Sequence, residues 1–194
     1  MEAEIGLSLG SVLARLAAVV ALVLLNAFFV AAEFALVGAR RSKLAELAQQ
    51  GDRKARLAEK AVADLDRYIS ATQVGITIAS LALGWIGEPA LAVLIDTALR
   101  AVGVHPAPGA AHTAAAVTIA FVIITFLHVV YGELAPKSIA LVMPERLSGW
   151  LALPLMLFAK LMAPFIALLN GTAAASLRLL GIGPASEAQR VHSP

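Results

Sequence analysis

The stretch Phe126–Leu141, FLHVVYGELAPKSIAL, decides how the chain is read. It ends a long apolar run, yet it carries a Gly-Glu pair, a proline and a lysine where hydrocarbon is expected. A carboxylate at membrane depth is costly, and a proline removes a helical hydrogen bond. Either the segment is no membrane span, or something offsets both costs.

Composition decides for the membrane. Of 194 residues, 60% are hydrophobic and 14% charged, against roughly half and a quarter in soluble domains. The chain has no cysteine, which excludes disulfides, thiolate zinc sites and thiol catalysis. No nucleophile–base pair or cofactor motif suggests an enzyme, and nothing suggests a nucleic-acid partner. The first apolar run is too long for a signal-peptide core, and its cations follow it.

Three spans are expected. The first runs from about Val12 to Val37 and contains LAAVVALVLLNAFFVAAEFALV, long enough to cross a bilayer. After it come Arg40, Arg41, Lys43, Arg53, Lys54, Arg56 and Lys60, with fewer acids and with leucines at helical spacing. This pattern predicts amphipathic helices over residues 40–66 on a membrane surface. By the positive-inside rule that surface is cytoplasmic, so the N-terminus is external. The second span, about Tyr68–Ile86, holds Ser70, Thr72, Gln73, Thr77 and Ser80 and ends at Trp85 and a Gly87-Glu88-Pro89 turn. A short interfacial helix and an outer loop with His105 and His112 follow. The third span runs from near Thr113 back inward through the GELAPK stretch, which leaves the C-terminus cytoplasmic.

The tail, residues 144–181, is apolar but interrupted by Pro154 and Pro164 and carries Lys160. It reads as bent amphipathic helices at the inner leaflet. Residues 1–183 form one membrane domain, and 184–194 read as a linker or tail. The fold class is all-α integral membrane, with three transmembrane helices and juxtamembrane amphipathic helices. Long apolar faces and the small Ala114, Ala115, Ala116 and Ala120 predict a homodimer, since small residues let membrane helices approach closely.

Glu133 is the carboxylate of the third span, and Gly132 and Pro136 loosen the helix around it and free carbonyl oxygens. Irregular backbone at membrane depth is tolerated where it is buried or lines a cavity, and transporters build ion sites from such breaks. Glu33 is a second intramembrane acid that either ligates an ion, takes a proton or pairs with Lys137 or an arginine. Gln73 and Thr77 stand one helical turn apart on the second span. Asn26 is read as a helix–helix hydrogen bond, Lys137 as a counter-charge to Glu133 or a snorkelling cation, and His128 as a packing residue. Carboxylate, hydroxyl, amide and carbonyl oxygens suit a hard cation such as Mg2+, Na+, Ca2+ or Mn2+, and nothing soft favours zinc or copper.

FFVAAEFALVGARRSKLAEL, YISATQVGITIASLALGWIGEPAL and YGELAPKSIAL together resemble the CorC/HlyC family, bacterial relatives of the cyclin M magnesium transporters. The resemblance covers Asn26 to Ile182. It implies a dimeric, three-helix membrane domain in the bacterial inner membrane with a cytoplasmic helical belt. It further implies Mg2+ efflux, with Na+ as coupling ion. In longer members, CBS domains that bind ATP and a small CorC domain follow, and neither lies in this chain. The family's Gly-Glu pair matches Gly132 and Glu133. Many members carry a serine where Val30 stands and an asparagine where Ile76 stands. That leaves Ser70, Gln73, Thr77 and Ser80, with carbonyls near Ala31 and Gly132, as the oxygens available here. The competing reading is a membrane-anchored cation sensor that regulates another transporter.

Overall fold

The computed structural model describes residues 9–101, 103 and 110–181. The loop with His105 and the segment 184–194 lie outside them. The described residues are helical throughout, joined by short turns. Three helical stretches are long and apolar enough to cross a membrane: Gly10–Gly38, Leu65–Leu99 and Ala116–Val142.

Helix α1, Leu9–Gly38, is the central span. Helices α4, Leu65–Ala82, and α7, Ala135–Val142, pack on it, as does α8, Pro144–Leu161. Between α1 and α4 lie α2, Arg41–Gln49, and α3, Arg53–Ala63. Both are short and amphipathic, as the cation-rich sequence predicts. Asp52 caps α3, its carboxylate accepting from the Lys54 and Ala55 amides at 2.8 and 3.2 Å, which satisfies donors every helix start leaves free.

The second and third spans each contain a π-helical segment. Leu83–Gly87 joins α4 to α5, Glu88–Ala101, without a break. The turn expected at Gly87-Glu88-Pro89 is therefore helical, and Pro89 stands where the π segment passes into α5, its missing N–H removing one hydrogen bond of the ladder. The 35-residue stretch is roughly 50 Å long, more than the ~30 Å hydrocarbon it crosses. His128–Leu134 joins α6, Ala110–Leu127, to α7. Pro136 stands at the start of α7 and is buried; within the continuous helix its missing N–H leaves the carbonyl four residues back, that of Gly132, without its donor.

The tail folds as α8 and α9, Ala163–Leu179, bent 72° from each other. Pro154 sits inside α8 without ending it, whereas Pro164 opens α9 just past the bend.

Packing concentrates where α1, α3, α4 and α8 meet. Phe29 is the centre, 3% exposed, with its ring 4.7 Å from that of Phe158 and 5.0 Å from that of Phe28. Gly75 lets α4 close on this ring, since a Cβ there would lie 2.5 Å from three Phe29 carbons. Ala116 and Ala120 are buried within the chain, while Phe121, Val122 and Phe126 of the same helix are exposed.

Candidate functional site

The π segment of the third span is held by the first span. Asn26, 1% exposed, donates from Nδ2 to the Gly132 carbonyl at 3.0 Å. Pro136, four residues on, has no N–H to give the Gly132 carbonyl; a side chain 106 residues away supplies the donor instead. Asn26 Oδ1 accepts from Ser80 Oγ at 3.2 Å, and Ser80 Oγ lies 3.3 Å from His128 Nε2. With the His128 proton on Nε2, the chain runs one way: His128 to Ser80, Ser80 to Asn26, Asn26 to Gly132. All three spans share it. The tight fit makes Gly132 a glycine, because a Cβ there would meet His128 at 2.9 Å and Asn26 at 3.3 Å.

Beside this network is a cleft of about 510 Å3 among the three spans. Its polar lining comprises Asn26, Glu33, Gln73, Thr77, Ser80, His128 and Glu133, and its apolar walls are Val30, Phe34 and Ile76. Glu33 Oε2 accepts from Thr72 Oγ1 at 3.1 Å, and the same hydroxyl lies 2.8 Å from the Ile69 carbonyl. Thr77 Oγ1 donates to the Gln73 carbonyl at 2.8 Å, which leaves its oxygen lone pairs for a ligand. Among the described residues no cation stands within ion-pair distance of Glu33 or Glu133.

The residues singled out from sequence divide. Glu133, Glu33, Gln73, Thr77, Ser80 and Asn26 line one cleft. Gly132 lies behind it with its carbonyl on Asn26. Ser70 faces another groove, between α4 and α9, accepting from Asn170 Nδ2 at 3.5 Å and donating to the Asp66 carbonyl at 3.0 Å. Ala31 is half-buried and not among the lining residues, and neither is Pro136. Lys137 places its ammonium 4.5 Å over the Phe34 ring, a cation–π contact beside the cleft.

Two further residues adjoin the site: Thr72, which sequence placed only on the polar second span, and His128, read there as a packing residue. His128 precedes Glu133 by five residues, about 140° apart on an α-helix at 100° per residue; the π turn reduces that angle and brings both to the cleft. Val30 and Ile76 form apolar walls of the same cleft.

Chemically the cleft offers two carboxylates, hydroxyls and an amide. Among the described residues no three His, Asp or Glu side chains converge closely enough to ligate one ion directly.

Known proteins align with this architecture. Residues 17–194 match the model of the cyclin M transmembrane N-terminal domain. The chain is 45% identical over 172 residues to the UPF0053 protein YhdT of Bacillus subtilis, covering 89% of this chain and 37% of that protein. It is 42% identical over 179 residues to the UPF0053 protein YugS of the same organism, covering 92% of this chain and 41% of YugS. An uncharacterized protein of Mycobacterium tuberculosis is 42% identical over 162 residues, covering 84% of this chain and 45% of that protein. The chain thus spans less than half the length of these relatives. Three apolar spans, the Gly-Glu element on a π turn, and a match over nearly the whole chain lead to one assignment: this multi-pass membrane protein belongs to the cyclin M transmembrane domain family.

Proposed function

We propose that the chain carries Mg2+ across the membrane, as efflux coupled to Na+ entry, with the ion held in the cleft between the three spans. The observation that carries this reading is the meeting of Glu33 and Glu133, from different spans, with the Gln73 and Thr77 oxygens in one cleft. Two carboxylates without a cationic partner on spans at membrane depth are costly, and a hydrated divalent cation in the cleft would offset that cost. Sodium, a smaller charge accepting the same oxygens, would reset the carboxylates on the return. We further propose that the protein works as a homodimer in the bacterial inner membrane, with the α2–α3 surface cytoplasmic. ATP-binding CBS domains of a longer protein would then act from that side.

The test is reconstitution into liposomes containing a Mg2+-sensitive dye, with and without an opposed Na+ gradient. Transport predicts Mg2+ movement accelerated by the Na+ gradient and lost in Glu133→Gln. Binding without movement would mark a sensor and overturn the reading.

A further inference from the structure

We propose that the chain holds the phosphate of an anionic phospholipid in a second cleft, of about 450 Å3, where α2, α3, α7 and α8 converge. This rests on the membrane assignment alone and is independent of the transport reading.

Position comes first. Two spans end at this cleft, the first at Gly38 and the third at Val142, so it lies where chain leaves hydrocarbon, at headgroup depth. Charge comes second. Arg40, Lys43, Lys54 and Arg146 line it. Its two acids are already engaged: Asp52 caps α3, and Glu145 accepts from Arg40 Nε at 2.9 Å. Lys43 also donates to Glu46 at 2.9 Å, an exposed pair of small worth that a phosphate can replace. Among the described residues no acid pairs with Arg146. The remaining positive charge suits a phosphate monoanion.

The rest of the lining selects a lipid over a soluble phosphate. Val142 is 78% exposed and Met143 40%, so both offer apolar surface at the mouth of a basic cleft. Trp150, 59% exposed, carries the Lys54 ammonium 2.9 Å from its ring centroid. Tryptophan is enriched at the membrane–water interface, and basic pockets at the ends of spans bind anionic headgroups. A phosphate among the cations with an acyl chain along Val142 and Met143 would occupy both parts.

The experiment uses the whole chain purified in mild detergent. Phosphatidylglycerol and phosphatidylcholine are titrated separately, and retained lipid is read by native mass spectrometry. Inorganic phosphate forms a third arm, and the shift in melting temperature is read for all three. Phosphatidylglycerol should be retained over phosphatidylcholine. Lys43→Gln and Arg146→Gln should each weaken that retention about fivefold, and the pair about 25-fold, at ~1 kcal/mol per basic residue. Equal retention of both lipids, or undiminished retention in the folded double variant, would overturn the proposal. So would a phosphate shift as large as that of phosphatidylglycerol, which would make the occupant soluble. Should the double variant fail to fold, the wild-type lipid comparison still decides.

Discussion

Asn26 and Gly132 lie 106 residues apart and meet through one hydrogen bond of 3.0 Å between the first and third spans. Because Asn26 is buried and also accepts from Ser80, it is the joint at which three helices are registered. In lipid, where water cannot substitute, an unpaired carbonyl costs more than the bond contributes. Asn26→Leu should lower stability by about 1–3 kcal/mol, read as a lower melting temperature in detergent. An unchanged melting temperature would mean the bond is incidental.

Glu133→Gln keeps shape and removes charge. Mg2+ binding by calorimetry should be lost while the size-exclusion profile is unchanged. Glu33→Gln should weaken binding by a comparable degree, since Glu33 faces the same cleft and its bond from Thr72 survives in the amide. Thr77→Val should weaken it only modestly, because water can replace one hydroxyl. Wild-type binding in Glu133→Gln would remove the cleft from consideration.

Gly75→Ala tests the closest helix approach. Its methyl would overlap three Phe29 ring carbons, and Phe29 is held against Phe158. Overpacking of this kind costs about 1–3 kcal/mol, so the variant should melt lower. Phe29→Leu in the same chain should recover part of the loss, which a purely local backbone effect would not allow.

Acid should weaken the contact of α8 with the end of α1. The hydrogen bond from Arg40 holds the Glu145 carboxyl below its ordinary 4.5. A group depressed on folding stabilises above its unfolded value and loses that contribution as pH falls through 4.5 toward the folded value. Arg40 is 73% exposed, so the pair is worth about 0.2–1 kcal/mol. Arg40→Gln should therefore melt below wild type at pH 7, and the two should converge near pH 3. A gap that persists in acid would assign the loss to packing.

The spans were legible because apolar length is a property of composition: α1 and the third span fall within a few residues of the expected bounds. The polar face of α4 was legible for a similar reason, since Gln73, Thr77 and Ser80 stand out in an apolar helix and line one cleft. Ser70 looked equivalent by type, yet it sits one turn nearer the end of α4, where α9 supplies Asn170 as a partner. What sequence could not convey was helical phase. Neither Leu83–Gly87 nor His128–Leu134 announces a π turn by residue type, and without the turn His128 would face away from Glu133. Likewise Gly132 suggested a carbonyl freed for an ion, whereas that carbonyl accepts from Asn26.

The π turn at His128–Leu134 amounts to one surplus residue, and a surplus residue is a phase shift along the rod. Above it, α6 packs on α5; below it, α7 packs on α1. A uniform α-helix would present one continuous stripe to a single neighbour. The inserted residue rotates the lower stripe relative to the upper, so one crossing serves two different partners. Deleting one residue among Val129 and Val130 would restore the uniform stripe and turn Pro136 and Ala140 out of their buried positions. The span would still be long and apolar enough to insert, but it would dock with the wrong face.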